Sequence, residues 1–454
     1  MLSAQHLPSI ALTARDAANI YLESDRSPAN IITTAIVDAA ALRVERSAVE
    51  QWMTDRLNCS PIFRRRLRRS WADITYPEWV EDPDLVVAEH VTVTAADDWA
   101  AAEAVISRLV EARMDLTRPP WDLTIIDGVR GLGDGLPARA AILVLRFHHS
   151  IGDGVVTAAT FKRMLSETPE FAAEETPPKR RSTARAPIDF AKYVGAVLGG
   201  PRLARAMAQV GGGQPVAPTV SRFNHPIEGH PALGLLHFDL GQIRDVRGAV
   251  AGATLNDVLL AVIAGALGRL LSDLDEDADR VLSAAMPIAV DDGAGTGNKY
   301  ALGIVALDVG EMDPVERLRL IHRATSAEKE RQRHPAFVRH RSLTNSIPAY
   351  VTRITGRRAR NAVGAKPGPA TMISNVPSLL RDATFMGEPV VDRVSFLTIA
   401  DGGTLAHFVS SVGDRVAVSF TVDSAVLPEP RVYDWMLREA FDELLAAAMS
   451  PAQA

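Results

Sequence analysis

Residues 140–154 read AAILVLRFHHSIGDG, an apolar run that is followed by two histidines and a turn with two glycines. The apolar run is typical of a buried strand, so His148 and His149 lie where a strand ends. Loops at strand ends commonly carry binding and catalytic side chains. Because neighbouring strand residues point to opposite faces, only one of the two imidazoles can face a given cleft. One histidine is therefore a candidate base and the other a supporting residue.

The residue types in this turn suit proton transfer. A neutral imidazole with a pKa near ~6.5 can accept a proton from a hydroxyl group at physiological pH. Asp153 could hold the turn through a charged contact with an arginine, and Gly152 and Gly154 allow backbone angles that other residues resist. A histidine pair at a strand end can also be purely structural. Here an aspartate and two glycines follow within five positions, which favours the catalytic interpretation.

Two other kinds of site fit this segment less well. Two histidines and an aspartate could bind zinc, but side chains at consecutive strand positions diverge, and the single Cys59 adds no thiolate cluster. A serine hydrolase needs the pattern G-x-S-x-G, whose first glycine is missing before Ser150 and which no other serine of the chain satisfies. We therefore expect neither a metal site nor a serine nucleophile.

Several segments together resemble the bacterial wax ester synthase/diacylglycerol acyltransferases. HHSIGDG matches the HHxxxDG signature of their superfamily, the acyl-CoA-dependent acyltransferases built like chloramphenicol acetyltransferase, which includes peptide-synthetase condensation domains. Further segments agree in order and spacing over essentially the whole chain: LTARD at 12–16 (family L-S-P-L-D), RPPWD at 118–122 (R-P-L-W-E), TLNDVLLA at 254–261 (the N-D-V helix), MPI at 286–288 with GN at 297–298 (M-P-x…G-N), and ISNVP at 373–377 (S-N-V-P-G-P). The opening segment lacks the family's Pro and Leu, and Pro120, Asp122 and Ser378 also depart from the family pattern. These departures leave the acyl acceptor open.

The resemblance implies an α/β fold with two chloramphenicol acetyltransferase-like domains packed around a central substrate tunnel. It also implies that His149 is the general base, which removes the proton of an acceptor hydroxyl while the oxygen attacks the acyl-CoA thioester. The protonated ring then passes the proton to the departing CoA sulfur. Such a reaction needs no acyl-enzyme and no cofactor, because acyl-CoA is itself a substrate.

Further site residues follow from the same resemblance. The catalytic motif is completed by His148, Asp153 and Gly154. Candidate donors to the negative oxygen of the tetrahedral intermediate, or contacts to substrate, are Asn256, Asn298, Ser374 and Trp121. Asn256 could equally cap or buttress its helix, Asn375 could simply shape a turn, and Trp121 could belong to the core.

The implied activity is O-acyl transfer to diacylglycerol or to a long-chain alcohol, which gives triacylglycerol or wax ester. One alternative is an acyltransferase that uses another lipid alcohol or takes its acyl group from a carrier protein. Another is a lipid-binding relative that has lost activity. The intact HHSIGDG argues against loss, because a degenerate copy is expected to have changed its base.

Composition limits the class of protein. The chain has 454 residues, 47% of them hydrophobic, which is long enough for two domains with separate cores. The formal net charge of -6 gives no support to nucleic-acid binding, and one cysteine is consistent with a reducing cytosol. The N-terminus lacks a signal-peptide pattern, and the longest apolar run, 258–267, is too short to span a bilayer. We expect a cytoplasmic protein that is soluble or bound peripherally to a membrane or lipid inclusion.

The changes in composition along the chain predict an N-terminal acyltransferase domain at 1–170, a connector at 171–220 with one short helix near 190–198, and a C-terminal acyltransferase-like domain at 221–454. Predicted helices lie at 14–22, 44–57, after the N-cap Thr254, and at 432–448; predicted strands lie at 31–37, 123–128, 140–147, 235–240, 280–286, 301–307, 370–373, 393–398, 406–412 and 415–421. Basic segments at 64–69 and 353–360 could be solvated surfaces or could attract CoA phosphate or anionic lipid.

Overall fold

The structure is a computed structural model, and it describes residues 7–133, 135–169, 186–210, 219–277, 281–290, 300–344, 347–362, 364–376, 380 and 382–450. Its strands are β1 (Ile10–Ala11), β2 (Asn30–Asp38), β3 (Arg65–Arg68), β4 (Glu78–Glu81), β5 (Val91–Ala95), β6 (Trp121–Val129), β7 (Ala140–His148), β8 (Pro231–Asp239), β9 (Val281–Ala289), β10 (Tyr300–Asp308), β11 (Thr371–Asn375), β12 (Thr384–Phe385), β13 (Glu388–Leu397), β14 (Leu405–Val412) and β15 (Arg415–Asp423). Its α-helices are α1 (Ala14–Leu22), α2 (Arg46–Thr54), α3 (Trp99–Glu111), α4 (Gly154–Leu165), α5 (Ala186–Ala208), α6 (Leu240–Gly248), α7 (Leu255–Asp273), α8 (Pro314–Arg333), α9 (Pro335–Thr344), α10 (Ala349–Asn361) and α11 (Pro430–Met449).

Two six-stranded mixed sheets form the framework of an α/β protein with two domains. The first sheet has the order β12-β13-β2-β7-β6-β5, and the second has the order β10-β9-β11-β14-β15-β8. Most neighbouring strands are antiparallel, but β5 runs parallel to β6, and β11 runs parallel to both β9 and β14. A small sheet, β1-β4-β3, lies beside the first domain. The α/β two-domain fold expected from the sequence is therefore present.

The C-terminal half of the chain contributes β12 and β13 to the first sheet. β13 follows the second domain's β11 in the chain, yet it pairs antiparallel with β2 of the first sheet, from Val390 opposite Val37 to Leu397 opposite Ile31. Val394 and Phe396 of β13 are buried in one apolar cluster with Ile142 of the first domain. The domain bounds 1–170, 171–220 and 221–454 stay a prediction, and the structure adds that the segment 221–454 also supplies strands to the first sheet. Apolar alternation in a strand shows that one face is buried, but it does not show which sheet the strand joins.

The predicted helices and strands are present, although most of their ends are shifted. The structure also contains helices that the sequence did not predict, namely α3, α4, α6, α8, α9 and α10. α1 has the predicted bounds, and β6 and β7, which were both predicted as strands, pair antiparallel across a glycine-rich loop. The connector helix is longer than predicted and extends over Ala186–Ala208. The Pro- and Arg-rich part of the connector, 177–185, lies outside the described residues.

α7 is the central helix of the second domain. Thr254 caps it, and the side chain of Asp257 returns a bond to the Thr254 backbone, so the predicted N-cap is confirmed as a full capping box. Within the described part of the chain, α7 is the one helix whose length and mean hydropathy of 1.6 would suit a membrane span. Its apolar window is 72% buried inside the protein, which identifies α7 as a core helix.

Candidate active site

The two histidines lie at the junction of three elements. β7 ends at His148, a short 3-10 turn covers His149–Ile151, and α4 begins at Gly154. The His149 N–H donates to the carbonyl of Ala29 at 2.6 Å, and the Asn19 side chain of α1 donates to the His149 carbonyl at 3.3 Å. The turn is therefore fixed on one side by the residue before β2 and on another by α1.

His148 is fully buried and fixed by its neighbours. Its Nδ1 accepts the backbone N–H of Ser150 at 3.2 Å and lies 2.6 Å from the Ser150 hydroxyl. Because Nδ1 accepts, the neutral ring carries its proton on Nε2. Nε2 lies 3.7 Å from the carboxylate of Glu23, whose side chain is 2% exposed. His148 thus points into the protein and has a buried carboxylate opposite its protonated nitrogen.

His149 has a different environment. Its side chain is only partly buried, whereas its Nδ1 is enclosed and has no hydrogen-bond partner in the described part of the chain. Burial lowers the pKa of the His149 imidazole below its usual value, and the ring's own backbone carbonyl and Asp153 only partly oppose this shift. The His149 ring is therefore neutral at physiological pH.

Asp153 and the two glycines shape the turn. The Asp153 carboxylate accepts the backbone N–H groups of Val155 and Val156 at 3.0 and 3.1 Å, so it caps α4. Gly152 has φ +154°, and a Cβ there would come within 3.0 Å of the Val156 side chain. A Cβ on Gly154 would come within 2.8 Å of Val376. The absence of a side chain at Gly152 therefore lets the turn pack against the first turn of α4, and its absence at Gly154 lets α4 approach the residue that follows β11.

The candidate oxyanion donors of the second domain converge at the same end of β11. The amide of Asn375 donates to Oδ1 of Asn256 at 2.7 Å, which joins the N-terminus of α7 to the ISNVP segment. The Asn256 amide nitrogen makes no hydrogen bond to a described residue and is free to donate. Ser374 is half-buried in β11, next to Asn375. Asn298, the other predicted donor, lies outside the described residues.

Trp121 has no exposed surface. Its indole N–H donates to the carbonyl of Phe63 at 3.0 Å, and its ring stacks on His90 with centroids 4.5 Å apart. The side chain belongs to the apolar core of the first domain. It therefore offers no surface to a substrate in this structure, and the alternative interpretation as a core residue describes its position.

The basic segment 64–69 forms ion pairs. Arg64 pairs with Glu81, Arg68 lies 2.6 Å from Glu78, and Arg69 lies 2.6 Å from Asp73. These ion pairs favour a solvated surface for the three side chains, and the binding of phosphate or lipid by this segment stays a prediction. The acidic partners lie on β4 and in the turn before it, so the sequence of the segment alone could not reveal them.

Two residues near the motif were not predicted. Glu23 follows α1 and contacts His148, and Tyr300 begins β10 in the second domain. Arg15 of α1 donates to the Tyr300 carbonyl at 3.2 Å. Burial raises the pKa of the Tyr300 hydroxyl, Arg15 opposes the rise, and the charges of Asp153 and Asp16 add to it. The LTARD segment contained a signal for Arg15, but nothing in the sequence marked Glu23 or Tyr300.

Two family models match this chain, and together they cover most of its length. The catalytic domain of wax ester synthase/diacylglycerol acyltransferase matches residues 12–259, and the C-terminal domain of the same family matches residues 296–445. A Mycobacterium tuberculosis H37Rv protein, named provisionally as a diacylglycerol O-acyltransferase, is 26% identical and covers 97% of this chain and 98% of its own length. A Mycobacterium bovis protein that is also named provisionally as a diacylglycerol O-acyltransferase is 26% identical, over 91% of this chain and 86% of its own length.

Solved structures share the fold. The wax ester synthase/diacylglycerol acyltransferase from Marinobacter aquaeolei VT8 superposes with a TM-score of 0.66 at 22% identity, covering 97% of this chain and 99% of that one. The trichothecene 15-O-acetyltransferase of Fusarium sporotrichioides gives 0.62 at 12% identity, covering 97% and 95%. The starter condensation domain of rhizomide synthetase, solved with C8-CoA and Leu-SNAC, gives 0.54 at 14%, covering 97% and 95%. At these identities the likeness concerns the fold.

Proposed function

We propose that this chain, which belongs to the wax ester synthase/diacylglycerol acyltransferase family, transfers a fatty acyl group from acyl-CoA to the hydroxyl group of a diacylglycerol or a long-chain alcohol. The observation that carries the proposal is the difference between the two histidines. His148 is buried and held by Ser150, whereas His149 is neutral and partly exposed where the first domain meets β11. The provisional names of the mycobacterial relatives favour diacylglycerol as an acceptor.

In the proposed reaction His149 accepts the proton of the acceptor hydroxyl as the oxygen attacks the thioester carbon. The C–O bond forms, and the carbonyl oxygen of the tetrahedral intermediate becomes negative. The free amide nitrogen of Asn256 and the Ser374 hydroxyl are the donors for that oxygen. The C–S bond then breaks, and the His149 imidazolium returns the proton to the sulfur. The products are the ester and free CoA, and no cofactor is needed.

The surroundings of the turn suit an apolar substrate. The first turn of α4 carries Val155 and Val156, two and three residues after Asp153, and these side chains are 60% and 37% exposed. Exposed apolar side chains beside a catalytic turn favour a ligand with an alkyl chain. We propose that acyl chain and acceptor approach His149 through a tunnel between the domains. We also propose that the protein is cytoplasmic and contacts a lipid surface peripherally.

The test is an acyl-transfer assay with palmitoyl-CoA and separate acceptors. Purified protein is incubated with a diacylglycerol, hexadecanol and a short amine, and both the acylated product and the released CoA are measured. We expect ester and CoA in equal amounts with at least one of the two lipid acceptors. Amide formation without ester would contradict the proposal.

Two other outcomes decide between the alternatives. If acyl transfer to a lipid acceptor occurred only from an acylated carrier protein, the carrier protein and not CoA would be the acyl donor. Binding of acyl-CoA without any product would indicate a lipid-binding relative that has lost activity.

A further inference from the structure

One surface, formed by the turn at 71–74 and by α10, combines exposed apolar side chains with unpaired positive charge. We call it the α10 surface, and it consists of Trp71, Ile74, Tyr350, Ile354, Arg357 and Arg358. Trp71 is 84% exposed, and Ile74 and Ile354 are 48% and 44% exposed. Single exposed apolar residues are ordinary, but an almost fully exposed tryptophan within such a group indicates an interaction site.

The fold does not use this face of α10. Tyr350, Ile354 and Arg357 are spaced by four and three residues, so they lie on one side of the helix. The opposite side contains Gly356, where a Cβ would come within 3.0 Å of Tyr21 in α1. α10 is therefore attached to the protein by its inner face, and its apolar outer residues contribute little to the core.

The turn that carries Trp71 is fixed beside α10. Asp73 lies 3.9 Å from Arg353 of α10, and the Tyr76 hydroxyl donates to the Ile347 carbonyl at 2.6 Å. Ala72 and Asp73 have φ values of +50° and +51°, which are uncommon for residues other than glycine. The strained turn and its bonds to the α10 region hold Trp71 at the surface.

The charge of this region is opposite to that of the whole chain. Residues 331–381 contain ten lysines and arginines and no aspartate or glutamate, although the formal net charge of the protein is -6. Arg357 and Arg358 are exposed and form no ion pair with a described residue. They differ in this respect from Arg64, Arg68 and Arg69, which are neutralised by neighbouring acids.

We propose that the α10 surface docks the protein on an anionic phospholipid surface. The arginines bind lipid phosphates, while Trp71 and Ile354 insert at the level of the headgroups, where amphipathic aromatic rings are favoured. α10 packs against Tyr21 of α1, and Asn19 of the same helix bonds the carbonyl of His149. Docking therefore places the catalytic turn one helix away from the lipid. The inference rests on the proposed function for the lipid nature of the acceptor, but docking itself requires no turnover.

The test is co-sedimentation with vesicles of phosphatidylcholine alone or with 30% phosphatidylglycerol. The variants are R357Q/R358Q and W71S. The matched controls are R319Q/R323Q, which removes two exposed charges of α8, and W435S, which removes a tryptophan of α11 that is 56% exposed. Thermal unfolding of every variant checks that the fold is intact.

We expect the wild type to bind the anionic vesicles more tightly than the neutral ones, with affinity falling as salt rises. R357Q/R358Q should weaken binding about 10- to 30-fold, and W71S roughly 10-fold, while both controls stay within about twofold of the wild type. Equal binding to neutral vesicles, or equal losses in variants and controls, would overturn the docking surface. Tight vesicle binding without acyl transfer would refute the proposed function and leave the docking surface standing. Acyl transfer without vesicle binding would refute the docking surface and leave the proposed function standing.

Discussion

The turn after β7 and the middle of β14 each contain a histidine whose pKa is lowered by burial, and the two histidines differ in what their nitrogens bind. His407 in β14 is fully buried; its Nδ1 lies 2.8 Å from the Thr371 hydroxyl and its Nε2 lies 3.1 Å from the Tyr433 hydroxyl. Burial lowers the pKa of His407 to about 3. Burial also lowers the pKa of His149, but this ring is partly exposed and its Nδ1 has no partner among the described residues. A lowered pKa alone therefore does not identify a base; the side chain must also be open to a substrate, and His149 is partly exposed whereas His407 is not.

The largest expected effect is that of His149→Ala on the rate of acyl transfer. Removing the ring should lower kcat for acyl transfer by about 10²–10⁴, the range attributed to general-base help. The melting temperature should change little, because the ring makes no hydrogen bond that a described neighbour depends on. Release of CoA and the thermal unfolding curve are measured on the same preparation.

His148→Ala is the matched control for that variant. It should cost more stability and less activity than His149→Ala, because His148 is fully buried and bonded to Ser150. If His148→Ala gave a well-folded inactive protein and His149→Ala stayed active, His148 would be the base and His149 the supporting residue.

The second prediction concerns the structural histidine. His407→Ala should lower the free energy of unfolding by about 2–4 kcal/mol, since it opens a cavity, removes the hydrogen bond of the buried Tyr433 hydroxyl and removes one of the two bonds of the Thr371 hydroxyl. The folded fraction should keep nearly normal kcat. Urea unfolding gives the stability, and activity per folded molecule gives the second value. A stable variant that has lost kcat would remove the contrast between the two histidines.

The sequence predicted the parts of this structure that depend on local pattern. The apolar run of β7, the turn after it and the Thr254 cap of α7 follow from short segments, and the structure has each of them. What the sequence could not predict depends on distant neighbours. β13 joins the first sheet although it lies in the C-terminal half, and the acidic partners of residues 64–69 come from another strand.

The third prediction tests how His148 is supported. Burial alone would raise the pKa of Glu23, but the contacts with His148 and Arg113 hold this pKa below its usual value. Glu23→Gln keeps the shape but removes the charge, and we expect kcat to fall by about tenfold at most, because 3.7 Å is longer than a hydrogen bond. KM should stay unchanged. A loss as large as that of His149→Ala would mean that Glu23 takes part in the proton transfer.

The same variant has a predicted pH signature. A carboxylate whose folded pKa is lowered stabilises the protein above its unfolded pKa, and this contribution is lost as pH falls through the folded pKa. The stability difference between the wild type and Glu23→Gln should therefore be largest near neutral pH and shrink below about pH 4.5. Denaturant titrations at several pH values measure it, and a pH-independent difference would show that the charge of Glu23 does not matter.

The pH dependence of kcat/KM for acyl transfer tests most directly the claim that neutral His149 is the base. Because the pKa of His149 is lowered, its basic form persists in mild acid, and activity should fall only as pH drops through a midpoint below about 6.5. The residual activity of His149→Ala should lack this acid limb. A midpoint above that value, or the same limb in His149→Ala, would contradict the account.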